Sequence, residues 1–257
     1  MIVGMTRRRN VIRARWQWAL LLLQAIGLGC AAAEPEKPAV TATNAPVLEV
    51  APGIFQIGSA RLDPRQRTVN FPATLNMNEG VIEYLIVHSS GKTHESLLRT
   101  ELEPFQLQTA MLLLGAKGAQ AKPLTNAPNG GPIKGAQLAA ENTRPIRGEP
   151  VNFEVRWKWD GAEKVFRLEE LVLDLKTKSP MSRGVFTFNG SRTWEGRFIA
   201  QRDGSFVSLI IDEDALFNNP RPGREDDSNW QIIPQDLPPR GTPVQVTIRL
   251  ETKPGKK

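Results

Sequence analysis

Thiol chemistry is closed to most of this chain, because its single cysteine stands at position 30. Beyond Cys30 no internal disulfide, thiolate metal site or cysteine nucleophile can form. Histidine is almost as scarce, with only His88 and His94 among 257 residues. An imidazole-based zinc centre would need both, and neither His-x-x-x-His nor His-Glu-x-x-His spacing occurs. Tyrosine occurs once, at Tyr84, which disfavours the aromatic-rich surfaces common in adhesive and sugar-binding proteins. No internal repeat and no nucleophile elbow is present.

Long apolar runs are missing too. Residues 19–28 are apolar but fall short of the ~20 residues that a membrane span requires. They follow five arginines, Arg7, Arg8, Arg9, Arg13 and Arg15, and precede Ala31-Ala32-Ala33. A positive region, a short apolar core and a small-residue cleavage site make residues 1–33 an export signal, with a retained anchor as the alternative. Cys30 follows Gly27-Leu28-Gly29, which resembles a lipobox but departs from it at Gly27 and Leu28. Cleavage near Ala33 is the first reading, and lipidation at Cys30 is the second.

The basic excess is smaller than it looks. Net charge is +6, but the five signal arginines leave with a segment that has no acid. The remaining 28 basic and 27 acidic residues nearly balance, so the footprint of a nucleic-acid binder is absent. Membrane attachment is expected only through the signal or a lipid anchor.

Residues 34–50 hold Pro35, Pro38 and Pro46 among Ala and Thr and read as a flexible linker. Residues 51–252 then form one domain, followed by a basic tail, 253–257. Residues 54–57 and 67–73 read as short strands joined by a turn at Asp63-Pro64. Residues 81–87 read as a buried strand. Ser90-Gly91 can supply a two-residue hairpin turn with positive φ. That register sets His88 opposite Thr93, Val87 opposite His94, and Leu85 opposite Ser96. His94 and Ser96 then share one face, and His88, Thr93 and Glu95 the other.

Pro104 opens a helix that Gly115 ends, with Phe105, Leu107, Ala110, Met111 and Leu114 at helical spacing. Leu112 and Leu113 make its last turn apolar all round, which implies burial on several sides. Residues 116–149 form a long loop, and a loop of that length is functional or mobile. Val151, Phe153, Val155, Trp157 and Trp159 alternate with polar residues, as in a half-buried strand. Asp160-Gly161 then turns into residues 165–168. Residues 171–175 are a strand or a helical turn. Asn189-Gly190 joins residues 185–188 to 194–200 in a third hairpin, and Asp203-Gly204 leads into a fourth at 206–211. Residues 212–242 are polar and irregular, and 244–250 alternate cleanly. The expected fold is α+β and mainly β: short antiparallel hairpins in a sheet or sandwich around one main buried helix.

Glu83-Tyr84-Leu85, then Gly91-Lys92-Thr93-His94-Glu95-Ser96-Leu97-Leu98, then the helix ending Leu112-Leu113-Leu114-Gly115, resemble the bacterial YdjY-domain proteins. Trp157 and Asn189-Gly190-Ser191 fit the same order. The resemblance spans roughly residues 50–250, with the GKTHESLL stretch its specific part. It implies an exported or envelope bacterial protein and points to no particular activity. Some members carry an iron–sulfur segment after the domain; this chain lacks those cysteines.

His94-Glu95-Ser96 is the chief candidate for chemistry. A Ser–His–acid site needs convergent side chains. Adjacent strand residues cannot supply them, so the acid would come from elsewhere, such as Glu83. The bland reading is a polar cluster that pins the hairpin to the sheet. His88, His94 and Glu95 are the candidate metal ligands, brought together only by a bent strand. Asp212-Glu213-Asp214 and Glu225-Asp226-Asp227 offer oxygen ligands for calcium but lack the glycine and distal glutamate of a calcium loop, so solvated acidic loops are favoured. Asn189-Gly190-Ser191 matches a glycosylation sequon by chance, since Asn-Gly serves the turn. Trp157, Trp159 and Trp194 are core residues or, if exposed, a ligand platform. No cofactor is expected. The preferred reading is a non-catalytic envelope module that binds a protein or small ligand. The alternative is a hydrolase or metal-dependent enzyme centred on His94.

Overall fold

The computed structural model describes residues 45–119 and 146–251. The segment expected to be an export signal, Cys30, residues 120–145 of the stretch expected to be a long loop, and residues 252–257 lie outside the described residues. Three short strands lead in: β1 (Leu48–Ala51), β2 (Ile54–Ile57) and β3 (Ala60–Asp63). Asp63 Oδ1 accepts the backbone N–H groups of Arg65 and Gln66, which turns the chain into β4 (Thr68–Leu75). Next come β5 (Tyr84–His88), β6 (Ser96–Thr100) and helix α1 (Pro104–Leu113). Beyond residue 145 follow β7 (Glu149–Trp159), β8 (Ala162–Arg167), β9 (Val172–Asp174), β10 (Ser179–Pro180) and β11 (Phe186–Phe188). The last part holds β12 (Thr193–Trp194), β13 (Arg197–Phe198), the short helix α2 (Ile199–Asp203), β14 (Ser205–Ser208), β15 (Phe217–Asn218), β16 (Trp230–Ile232) and β17 (Pro243–Leu250).

The sheet closes on itself. Neighbours run β4–β17–β7–β11–β15–β14–β5–β6, and β6 pairs back onto β4 through Thr74 with Arg99 and Leu75 with Leu98. The result is an eight-stranded mixed barrel, with β1–β3 and β8 as extra strands outside. It replaces the expected sheet or sandwich, and among the described residues it carries two short helices beside the strands. Two of its pairings are parallel, β5 with β6 and β14 with β15. β15, two residues long, is held between β11 and β14.

The hairpin expected at Ser90-Gly91 does not form. Tyr84 lies opposite Ser96, and His88 lies opposite Thr100, in a parallel register. Parallel neighbours usually need a connection of a dozen residues or more. Here residues 89–95 suffice because β5 is so short: five residues span about 13 Å, and seven can reach about 23 Å. Gly91 N–H donates to the His88 carbonyl, Thr93 N–H donates to Gly91, and residues Thr93–Glu95 coil into one 3-10 turn. Thr93, His94 and Glu95 therefore sit on a turn, where strand alternation does not apply. Gly91 is needed for close approach: a Cβ there would lie 3.0 Å from the Asp203 carbonyl oxygen.

Two more hairpins dissolve. Phe188 precedes Asn189-Gly190, but β11 pairs with β7 and β15, while β12 pairs with β13. Asp203-Gly204 ends α2, with Gly204 as a left-handed cap at φ +69°. Asp160-Gly161, at φ +48° and +73°, does make the expected turn between β7 and β8. Residues 168–174 divide between a 3-10 turn and β9, so both readings of that stretch hold in part.

Helix α1 begins at Pro104 and is capped by Glu103 and Gln106, each side chain accepting the other's backbone N–H. It packs on β2, β3 and α2. Leu107, Ala110 and Met111 are buried, but Leu112 and Leu113 are about half exposed, contrary to the all-round burial expected of them. The helix therefore buries one face only.

Inside the barrel, Val69, Phe71 and Ala73 of β4 face the core with Val246 and Ile248 of β17 and Val151, Phe153 and Val155 of β7. Phe153 meets Phe186 and Phe217 edge to face at 5.5 and 5.1 Å. Such contacts add about 0.5–1.5 kcal/mol to the burial of each ring. Trp157 is buried and stacks on Phe166 at 5.2 Å, whereas Trp159 and Trp194 are exposed.

Candidate functional site

The residues singled out for chemistry lie together on the connection between β5 and β6, but they face different ways. His94 is 78% exposed, and its Nε2 lies 3.5 Å from Glu95 Oε2. Ser96 is fully buried. Its hydroxyl donates to the Thr93 carbonyl at 3.3 Å and accepts from Asn76 Nδ2 at 3.2 Å. The same amide donates to the Ser96 carbonyl at 2.8 Å and to the Thr93 carbonyl. Asn76, which sequence reasoning missed, thus locks the 3-10 turn from the end of β4. Ser96 is a structural hydroxyl in this arrangement, with no imidazole beside it.

Glu83 does meet Glu95. Its backbone N–H donates to the Glu95 carbonyl at 2.9 Å, and the two carboxyls face one another. Partial burial, then the charge of Glu95, hold the Glu83 carboxyl above its ordinary pKa, while Lys92 pulls the other way. Lys92 Nζ lies 3.7 Å from Glu95 Oε1 and donates to Tyr84 Oη at 2.7 Å. Tyr84 Oη donates in turn to Asp212 Oδ2 at 3.0 Å. A Lys–Tyr–Asp chain can move protons when the phenol ionises readily. Here burial and the neighbouring Asp212 push the Tyr84 phenol well above its ordinary value, and the ring is buried. Burial also raises Asp212, although the Tyr84 hydroxyl opposes that rise. The chain therefore fastens β5 to the loop before β15.

His88 keeps other company. Its Nδ1 lies 2.7 Å from Ser90 Oγ, and its Nε2 lies 3.8 Å from Glu103 Oε1. Among the described residues no three His, Cys, Asp or Glu side chains converge as a metal site. The acidic runs are engaged elsewhere: Asp214 pairs with Arg192, and Glu225 and Asp226 with Lys176. Asn189 is buried and donates to the carbonyls of Glu213 and Ala215, so its amide is occupied.

A second feature lies on the outer face of β3, β4, β17 and β7. Ladder register aligns Arg61, Asn70, Thr247 and Glu154 in one cross-strand row. Pro72, Gln245 and Arg156 form the next row, and Thr68, Arg249 and Asn152 the row on the other side. Most of these polar positions line a groove of about 600 Å³, within the size range of small-molecule sites. Thr247 Oγ1 donates to Asn70 Oδ1 at 2.6 Å across its floor. Arg156 pairs with Glu154, and Arg249 donates to the Gln66 carbonyl at 3.2 Å. Arg61 has no protein partner among the described residues. Strand alternation marks each of these residues as outward-facing, but only the sheet order brings them to one place.

The model for the YdjY domain matches residues 61–249, most of the chain and nearly the whole barrel. The chain belongs to the YdjY domain family. No curated protein and no solved structure matches it. The matched span of this YdjY domain opens at Arg61 and closes at Arg249, so it contains the 83–96 cluster and all of the groove's lining except Ile54 and Ser59. Among the described residues no helix is long and apolar enough to cross a membrane.

Proposed function

We propose that this YdjY-domain protein is a non-catalytic binding module of the bacterial cell envelope, delivered there by residues 1–33. The observation that carries the reading is the polar groove across β3, β4, β17 and β7. It has the size of a ligand site and presents amide, hydroxyl, guanidinium and carboxylate groups, the last from Asp63 and Glu154, and among the described residues no histidine or cysteine lines it. Such a lining can hold and orient a ligand. Its two carboxylates are already engaged, Asp63 by the backbone N–H groups of Arg65 and Gln66 and Glu154 by Arg156, which favours holding a ligand over activating a nucleophile. The Ser96 hydroxyl, taken up by Asn76 and Thr93, and the solvent-facing His94 weigh in the same direction.

The test is incubation of the purified protein with ester, phosphoester and glycoside substrates, followed by NMR. Background turnover, unchanged by His94→Ala or Ser96→Ala, is the expected result. Turnover that disappears in either variant sinks the reading in favour of a hydrolase.

A further inference from the structure

We infer that the groove takes a small ligand bearing two anionic groups, carboxylate or phosphate, with hydroxyls between them. This deepens the binding-module reading and rests on it. The argument begins with charge. Arg61 is exposed and unpartnered among the described residues, and Arg249 uses one N–H on the Gln66 carbonyl. Arg156 is held by Glu154. Two guanidinium forks are therefore open, and such forks match the paired oxygens of carboxylates and phosphates.

Spacing says how many anions. Arg61 and Arg249 stand two strands and one row apart in the ladder, with Asn70 and Thr247 between them. Strand and pleat spacings place their Cα atoms about 12 Å apart. That spacing suits a ligand with charge at each end, one for each fork. Between the forks lie the Asn70 amide, the Thr247 hydroxyl and the unengaged Gln245 amide, which are partners for hydroxyl groups. Among the described residues no aromatic side chain lines the groove, so stacking on a ring face plays no part. The groove therefore recognises charge and hydrogen-bond pattern.

Calorimetric titration of the whole protein at low salt tests this with four probes. Glucarate offers two carboxylates and hydroxyls, and glucose 1,6-bisphosphate offers two phosphates and hydroxyls. Adipate has two carboxylates without hydroxyls, and glucose has hydroxyls without charge. One of the first two should bind at least about tenfold more tightly than adipate, which loses the hydroxyl hydrogen bonds, and than glucose, which loses the charged ones. Which of them binds identifies carboxylate or phosphate as the source. Arg61→Ala and Arg249→Ala should each weaken that binding about tenfold or more, with Arg249→Lys intermediate. Equal binding of glucose, equal binding of adipate, or insensitivity to both arginine variants overturns the inference. NMR of the same samples separates the two claims. A dianion bound and recovered intact upholds both. A dianion bound and converted keeps the ligand class and refutes the non-catalytic reading. Binding of neither dianion refutes the ligand class and leaves that reading standing.

Discussion

Asn76→Ala should be among the most damaging single changes at any half-buried polar position of this domain. The Asn76 amide donates to the Ser96 carbonyl at 2.8 Å, to the Ser96 hydroxyl at 3.2 Å and to the Thr93 carbonyl. Truncation removes all three and leaves two carbonyls of a tight turn without that donor. A net hydrogen bond is worth about 1 kcal/mol, and an orphaned buried acceptor costs about 1–3 kcal/mol. A total near 2–3 kcal/mol follows, because water can reach part of the turn. For a domain of this size that is a fall in Tm of about 5–10 °C. Urea unfolding followed by tryptophan fluorescence measures it directly. Asn76→Asp keeps the volume but loses the donors, so it should be no milder. His94→Ala is the matched control, since a side chain 78% exposed should change stability by less than about 0.5 kcal/mol. If Asn76→Ala is as mild as His94→Ala, the turn is not held as described and the argument fails.

Three further outcomes are expected. Phe153→Ala, at the centre of the Phe186–Phe217 cluster, should cost about 3–5 kcal/mol in chemical denaturation. Glu169 is fully buried between Arg167, at 2.6 Å, and Arg221, at 4.0 Å. Glu169→Ala should cost about 3–5 kcal/mol or abolish soluble expression, because it strands the buried Arg221 cation; a melt like that of wild type would count against the network. Glu83 should give a pH signature. A carboxyl with a raised folded pKa binds its proton more tightly in the native state, so its contribution to stability is greatest in acid. That contribution falls as pH rises from the ordinary value of 4.5 through the raised one. Glu83→Gln should therefore gain on wild type in melts between pH 4 and pH 7, and a variant that loses ground over that range contradicts the assignment.

The elements were easier to read than their partners. Period-two alternation marks β7 and β17, and Pro104 with Gly115 brackets α1, because these signals are local. Pairing is a different matter. Asn189-Gly190 looks like hairpin chemistry, yet its left-handed backbone serves a turn whose flanks join separate strands. Ser90-Gly91 misled in a similar way. The glycine is there because α2 ends against it, a contact with residues over a hundred positions away. At the candidate site, His94 and Glu95 are indeed neighbours, and Glu83 does reach Glu95. The role of Ser96 was hidden because its partner Asn76 lies twenty residues back in the chain. Arg61, Arg156 and Arg249 are ordinary polar strand residues until the order β3–β4–β17–β7 gathers them.

The position of β17 has a consequence for how the protein comes into being. It is the last strand in sequence, yet it sits between β4 and β7 and is hydrogen-bonded along nearly its whole length to both. During synthesis β4 and β7 emerge long before the strand that joins them, so the nascent chain holds two unsatisfied sheet edges and cannot shut the barrel. Closure is then a late, long-range event of the kind that makes folding slow. A chain stopped before residue 243 would not be a smaller version of this domain. It would be an open ribbon, with the apolar faces of β4 and β7 turned to water.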